Sequence, residues 1–192
     1  MRKKLFFKFP DMVGNYHSHY IRFVCYLFVF WLLITGSLHL KFLIIGGAAS
    51  FIVAWICMPL FTIPNRSRTK HYFMLDVRIV PLIAYVFWLL KELILSNMDV
   101  AKTVWKKELP IKPELIRFQV HFDNPLAIAM LANSITLTPG TITLDSDAEN
   151  VYVIHALTPT AAEGIRQGGM VKKIAALFHE NTDFHILDPK DC

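Results

Sequence analysis

Residues 42–63 read FLIIGGAASFIVAWICMPLFTI, an apolar stretch of about 22 residues without a charged side chain. A second stretch, residues 21–38, reads IRFVCYLFVFWLLITGSL and carries one charge, Arg22, at its edge. Each stretch is about as long as a helix needs to cross a hydrocarbon core of about 30 Å. Because only residues 39–41 separate the two stretches, the sequence predicts a tight transmembrane helical hairpin.

Basic residues flank this hairpin and predict its orientation. Only Lys41 lies between the two apolar stretches. Before them come Arg2, Lys3, Lys4, Lys8 and Arg22, and after them come Arg66, Arg68, Lys70 and Arg78. Positive charge concentrates on the cytoplasmic side of membrane proteins. We therefore expect both ends of the hairpin in the cytoplasm, an N-terminal extension over residues 1–19, and the tight turn outside.

A third apolar stretch, residues 79–97, has two interpretations. Pro81 lies near its start, and the adjacent pair Lys91 and Glu92 interrupts it. Basic residues follow this stretch as well as precede it, which opposes a full crossing. The segment either crosses the membrane or lies in the cytoplasmic interface as an amphipathic helix, and we favour the interface. The predicted membrane region covers residues 20–98.

Small side chains form a patch in the second apolar stretch. The patch contains Gly46, Gly47 and Ser50, with two alanines between them. Small residues let a second helix approach closely in a membrane. The patch serves packing within the hairpin or packing against another helix, and the sequence favours neither alternative.

The composition excludes several classes of protein. Of the 192 residues, 54% are hydrophobic and 18% are charged, whereas a soluble domain carries about 25% charged residues. Three cysteines, Cys25, Cys57 and Cys192, show no metal-binding spacing. The net charge of +5 lies beside the apolar stretches, a pattern typical of membrane flanks rather than nucleic-acid binding.

Acidic residues are absent from the whole predicted hairpin. The sequence contains no Asp or Glu between Met12 and Leu75. Ion and proton pathways through membranes depend on buried ionisable residues, carboxylates above all. We therefore expect that this chain does not transport ions by itself.

The rest of the chain, residues 110–192, has the composition of a small cytoplasmic α+β domain of β-α-β-β-α order. Strict alternation over residues 116–122 predicts a half-buried strand. Asn124 followed by Pro125 predicts the start of a helix. This helix ends before Pro139 and Gly140.

A hairpin and a final helix complete this predicted domain. Residues 141–144 and 151–157 predict two strands joined by an acidic turn. Thr160 and Glu163 have the spacing of a capping box, which predicts that one last helix begins there.

Catalytic motifs are missing from the sequence. It has no phosphate-binding loop, nucleophile elbow or zinc-protease motif. His155 in a predicted strand, and the pair His17 and His19 near the start, are more typical of ordinary packing and a solvated turn than of a base or a metal site. We expect no enzyme activity, no cofactor and no metal.

One block of residues resembles a known family. Residues 131–145 read LANSITLTPGTITLD, and Tyr152 and the sequence IHAL at 154–157 follow it. Upstream, Lys91-Glu92-Leu93 and Ser96-Asn97 belong to the same pattern. Over residues 20–180 the chain resembles the E subunits of the multisubunit Mrp/Mnh/Pha-type monovalent cation/proton antiporters.

The resemblance implies a function and a set of partners. It implies a bacterial inner-membrane complex that exchanges Na⁺ or K⁺ for protons, in which large multi-span subunits related to those of respiratory complex I carry the ions. This chain is then an accessory, non-catalytic subunit that supports assembly, stability and full activity. Its partners are the other antiporter subunits and the lipid membrane, without nucleic acid. The alternative is a stand-alone membrane-tethered ligand-binding or sensor module.

The resemblance also selects residues that form a structural junction or an interface, and we favour the junction. They are Lys91, Glu92, Ser96, Asn97, Asn133, Ser134, Thr138, Pro139, Gly140, Thr141 and His155.

Overall fold

The computed structural model describes residues 12–65, 67–107, 111–146 and 150–187. The chain divides into two compact units, Met1–Asp76 and Val77–Cys192, each with a hydrophobic core of its own. Among these residues, three helices are long and apolar enough to cross a membrane, by length and composition: α1 (Tyr16–Thr35), α2 (Leu40–Cys57) and α3 (Ile79–Val104). The predicted fold class, apolar N-terminal helices followed by an α+β region, is confirmed. The predicted features at Arg2, Lys3, Lys4, Lys8, Arg66 and Cys192 lie outside the described residues.

Helix α1 begins five residues earlier than the apolar pattern predicted. The side chain of Asn15 accepts a hydrogen bond from the backbone N–H of His17 at 3.1 Å and caps the helix. At the other end, Gly36 adopts φ 61°, and its N–H donates to the Leu32 carbonyl at 3.0 Å. Local capping residues, rather than the limits of the apolar run, therefore set both ends.

Helix α2 ends six residues before the predicted end at Ile63. Pro59 follows its last turn and has no N–H to continue the helix, and the Thr62 hydroxyl donates to the Met58 carbonyl at 2.9 Å. The apolar residues beyond form a short antiparallel hairpin instead, β1 (Thr62–Pro64) with β2 (His71–Phe73). The apolar pattern of the sequence did not predict this hairpin.

The core of the first unit lies where this β-hairpin meets the ends of α1 and α2. Phe23, Ala54, Met58 and Phe73 are each at most 4% exposed. The ring of Phe23 lies 4.8 Å from that of Phe61 and 6.0 Å from that of Phe73, between centroids. Away from this cluster most large side chains of both helices point outward, as expected of helices surrounded by lipid.

The second unit contains a four-stranded antiparallel sheet of order β4-β5-β3-β6. Its strands are β3 (Glu114–Val120), β4 (Thr141–Ser146), β5 (Val151–Ala156) and β6 (Phe184–Leu187). Phe118 on β3 is opposite Tyr152 on β5, and their rings stack with centroids 5.1 Å apart. The ring of Phe184 lies against Phe118 at 5.1 Å from the other side. Aromatic side chains thus join the three strands at the centre of the core.

Helices cover one face of this sheet. They are α3, α4 (Pro125–Leu137) and α6 (Gly169–Phe178), with α5 (Pro159–Arg166) at the end of β3 and β5. Arg166 on α5 donates to the Glu114 carboxylate at 2.8 Å, and this hydrogen bond raises the pKa of the guanidinium. Helix α4 begins as predicted, with Asn124 as cap and Pro125 in the first turn.

The C-terminal part departs from the predicted order in three respects. The single last helix is wrong, because Gly168 adopts φ 63° and divides it into α5 and α6. The capping box at Thr160 and Glu163 is also wrong, because Thr158 caps α5 through its side chain and Pro159 opens the helix. A fourth strand, β6, follows the helices and pairs with β3.

Candidate functional site

The turn between α4 and β4 is the centre of the site selected from the sequence. Gly140 adopts φ 87°, in the left-handed region that favours glycine, and its carbonyl accepts the N–H of Leu157 at 2.8 Å. A Cβ added at Gly140 would lie 3.5 Å from Val100 on α3 and 3.7 Å from Ala161 on α5. The backbone at Gly140 is therefore the point where three helices and the sheet converge.

Threonine hydroxyls donate to carbonyls near the end of α4. Thr138, Thr141 and Thr143 each donate back into the last turns of that helix, where the final carbonyls have no N–H partner in the next turn. The Thr138 hydroxyl donates to the Ser134 carbonyl at 2.9 Å, and the Thr143 hydroxyl donates to the Ala132 carbonyl at 3.0 Å. The single proton of the Thr141 hydroxyl has two acceptors within reach, the carbonyls of Ile135 at 2.6 Å and Thr138 at 2.9 Å. The threonine-rich sequence thus closes the helix-to-strand turn with its own side chains.

Two hydroxyl contacts attach α3 to this turn. The hydroxyls of Tyr85 and Ser134 lie 2.6 Å apart, and the two residues are only 5% and 3% exposed. Farther along α3, the Ser96 hydroxyl donates to the Pro139 carbonyl at 2.6 Å. The structure therefore brings Ser96, Ser134 and Pro139 of the selected residues together.

The remaining selected residues of α3 lie apart from the turn. Lys91 and Asn97 are exposed, and the Asn97 amide donates to the Leu93 carbonyl of its own helix at 2.8 Å. Glu92 is half-buried and faces the α+β side of the helix. Lys91 and Glu92 therefore lie on different sides of α3, although they are adjacent in sequence.

A groove of about 890 Å³ runs between α3, the α4–β4 turn, α5 and α6. Its floor is apolar and includes Leu95, Phe118, Ile135, Ile165 and Met170. Its polar lining includes the carboxylates of Glu92, Asp99 and Glu163 and the ammonium group of Lys173. Lys173 lies over the ring of Trp88, 5.8 Å from its centroid. The groove can hold an amphipathic ligand or segment.

Asn133 and His155 lie elsewhere on the second unit. Asn133 is exposed and lines a shallow depression of about 290 Å³ with residues of β4. His155 is half-buried on the face of the sheet opposite the helices, between Leu115 and Ile142 on the neighbouring strands. The structure does not join either residue to the α4–β4 turn.

In the first unit, the small residues of α2 face two ways. Gly46 is buried, and a Cβ added there would overlap the indole ring of Trp31 on α1. Ser50 is 4% exposed, whereas a Cβ added at Gly47 would meet nothing within 4 Å. Gly46 thus serves the close approach of the two helices, while Gly47 leaves open space beside α2.

A polar cluster that the sequence pattern did not predict is buried near the start of α1. His19 is 2% exposed, and Arg22 donates to its Nδ1, so its Nε2–H donates to the Val13 carbonyl at 3.0 Å. Arg22 also donates to the Asp76 carboxylate at 2.8 Å. The sequence signals were the charge of Arg22 at the edge of an apolar run and the pair His17 and His19. The solvated turn expected at this pair is wrong, because both residues lie in α1 and His19 is buried. Within the described ranges, no group of three His, Cys, Asp or Glu residues could hold a metal ion.

Comparison with known proteins gives a consistent result. Residues 24–174 match the model of a family described as Na⁺/H⁺ ion antiporter subunit. The E subunit of a Na⁺/H⁺ antiporter from Bacillus subtilis is 34% identical over 120 residues, which are 61% of this chain and 74% of that protein. The E1 subunit of a Na⁺/H⁺ antiporter from Staphylococcus epidermidis is 31% identical over 141 residues, 71% of this chain and 82% of that protein.

A solved structure shares the fold. It is a chain of the membrane-bound sulfane sulfur reductase, an archaeal respiratory membrane complex. The TM-score is 0.62 and the sequence identity 32%, over 84% of this chain and 99% of that chain.

Proposed function

This chain belongs to the family of Na⁺/H⁺ antiporter E subunits, and from that premise we propose that it is an accessory, non-catalytic part of a multisubunit monovalent cation/proton antiporter. It supports assembly, stability and full exchange activity in a bacterial cell membrane. Its partners are the other antiporter subunits, including large multi-span subunits that carry the ions, and the lipid bilayer.

The distribution of carboxylates carries the accessory role. No Asp or Glu occurs in the sequence between Met12 and Leu75, which includes α1 and α2 entirely. Helix α3 contains two carboxylates, Glu92 and Asp99, and both line the groove on its α+β side. A path for Na⁺ and H⁺ through a membrane requires ionisable groups within the membrane. Helices α1 and α2 therefore supply no carboxylate to such a path, and in this proposal the ions cross through other subunits.

Charge also supports an orientation for the chain. Lys41 lies in the first turn of α2, at the connection to α1, whereas basic residues concentrate before α1 and after α2. Because positive flanks remain in the cytoplasm, we assign both ends of the hairpin and the C-terminal α+β domain to the cytoplasmic side.

The test compares the complex with and without this chain. Deletion of its gene should reduce Na⁺/H⁺ exchange in membrane vesicles and lower the amount of intact complex on native gels, and the wild-type gene should restore both. Purified alone and placed in liposomes, the chain should leave a pH gradient unchanged when Na⁺ is added. Exchange by the isolated chain above that of empty liposomes would overturn the accessory role.

The groove supports a second function, a membrane-tethered ligand-binding or sensor module. Its apolar floor and carboxylate rim could bind an amphipathic cation. The mass of the particle extracted in mild detergent distinguishes the two functions. A large particle that contains several different subunits supports the antiporter role, whereas a particle that contains this chain alone supports the sensor module.

A further inference from the structure

We propose that α3 lies in the plane of the membrane surface, with its outer face at the boundary between lipid headgroups and acyl chains of an anionic bilayer. Its other face carries the α+β domain. The length and composition of α3 would also permit a crossing, and what lies against each side of the helix distinguishes the two orientations.

The inner face of α3 is covered by the α+β domain along most of its length. Leu82, Tyr85 and Leu89 pack on the main core. Farther along, Ser96 donates to the Pro139 carbonyl, and Val100 lies beside Gly140. The contacts extend from Leu82 to Val100, about 27 Å at a rise of about 1.5 Å per residue. This length is close to the thickness of a hydrocarbon core, about 30 Å.

A crossing α3 would consequently carry the α+β domain into the hydrocarbon. The strands β4 and β6 are the two edges of the described sheet. Open sheet edges do not occur in contact with lipid, because each unsatisfied backbone group there costs several kcal/mol. Exposed polar side chains on α5 and α6, such as Glu163, Gln167 and Lys172, would enter the hydrocarbon as well. An orientation in the membrane plane avoids both costs.

The outer face of α3 is apolar from end to end. Large side chains recur there at helical spacing and are about half exposed or more. They are Ile79 (55%), Val80 (79%), Ile83 (50%), Phe87 (68%), Leu90 (47%), Ile94 (62%), Met98 (50%) and Trp105 (87%). With 26 residues, the helix presents a stripe about 39 Å long. An amphipathic helix of this kind buries its apolar face about 5–10 Å into a bilayer surface.

Positive charges border this stripe and identify an anionic bilayer as the surface it contacts. Lys91 and Lys102 fall within about 20° of each other around the helix axis, and both are exposed. Asp99 lies 4.0 Å from Lys102 and offsets part of its charge. Arg78 at the start of α3 and Lys106 and Lys107 after its end add further positive charge. Basic side chains beside an apolar stripe attract anionic headgroups, each by about 1 kcal/mol.

The first test determines on which side of the membrane the two ends of α3 lie. Arg78→Cys and Lys107→Cys are made singly in the full-length chain, with Cys25, Cys57 and Cys192 replaced by Ser. Sealed vesicles of both orientations are then treated with a membrane-impermeant maleimide. We expect both positions to react from the same side. Reaction from opposite sides would show that α3 crosses and would overturn the proposal.

Two matched variants calibrate the vesicles in this test. Lys41→Cys, in the first turn of α2, and Ser67→Cys, after α2, are separated by one predicted crossing. They should react from opposite sides, which establishes that the vesicles are sealed and that the reagent does not cross.

The second test measures depth and separates lipid from a protein partner. Spin labels are placed at Ile83, Phe87, Ile94 and Met98 in the full-length chain within its own membranes. Accessibility to oxygen and to a soluble nickel complex should indicate the same shallow depth at all four positions. A depth that increases toward the helix centre would indicate a crossing. Immobile labels accessible to neither quencher would indicate that another protein covers this face. Either result would overturn the proposal.

Discussion

At the contact between Tyr85 and Ser134, two hydroxyl groups lie 2.6 Å apart where both residues are buried. Removal of one partner leaves the other hydroxyl buried without that hydrogen bond, which costs about 1–3 kcal/mol. We expect Tyr85→Phe and Ser134→Ala each to destabilise the protein by about that amount, and the double variant by less than the sum. Denaturation of the purified protein in detergent measures the four stabilities. Strictly additive losses would contradict a direct interaction.

Another prediction at the residue scale concerns the two adjacent glycines of α2. A Cβ at Gly46 would overlap Trp31, whereas one at Gly47 would occupy open space. Gly46→Ala should therefore destabilise the hairpin by about 1–3 kcal/mol, the usual cost of overpacking. Gly47→Ala, the matched control, should leave stability unchanged or raise it, because alanine favours the helix. Thermal unfolding of both variants measures the difference, and equal melting temperatures would contradict it.

At the scale of elements, Gly168 both divides α5 from α6 and contacts β6. It adopts φ 63°, and a Cβ there would lie 3.0 Å from the Phe184 ring. Gly168→Ala should destabilise the α+β region by about 1–2 kcal/mol from the left-handed backbone alone. Gly164, inside α5, has open space beside it, so Gly164→Ala should stabilise the same region by about 0.5–1 kcal/mol. Hydrogen exchange of the β6 amides would report both changes, and faster exchange in the Gly164 variant would contradict this assignment.

The elements also show which features a sequence can predict. Helix α4 was predicted at both ends because its signals, Asn124, Pro125 and Pro139, are local. Strand β6 was missed because it has only four residues and depends on pairing with β3, far away in sequence. The three-residue strands β1 and β2 have equally little local pattern.

In the candidate site, too, the sequence predicts local features but not contacts between distant residues. The threonine-rich turn was found because its residues are consecutive. Tyr85, 49 residues before Ser134, was not found, because a tyrosine in an apolar run carries no signal of the partner that its hydroxyl reaches.

At the scale of the whole molecule, the carboxylates of α3 line the groove, and the proposed function gives them no direct part in ion transport. Glu92 is half-buried there, and Glu163 on α5 lines the same groove from outside the candidate membrane helices. We expect Glu92→Gln to lower Na⁺/H⁺ exchange by the assembled complex less than about tenfold, because a larger loss is typical of a group that acts directly in the reaction. Glu163→Gln is the control for a general effect on the groove. Abolished exchange in the Glu92 variant alone, with normal assembly, would place Glu92 in the ion path.

The threonine hydroxyls around Gly140 have a consequence for the places where this protein can function. Most helix ends in soluble proteins rely in part on water for their last carbonyls. Here Thr138, Thr141 and Thr143 supply hydrogen bonds to the carbonyls of Ser134, Ile135 and Ala132 from within the segment itself. At these three carbonyls the turn depends less on water, so contact with lipid or with another protein costs less hydrogen bonding there. Isosteric replacement of these threonines by valine would remove that protection.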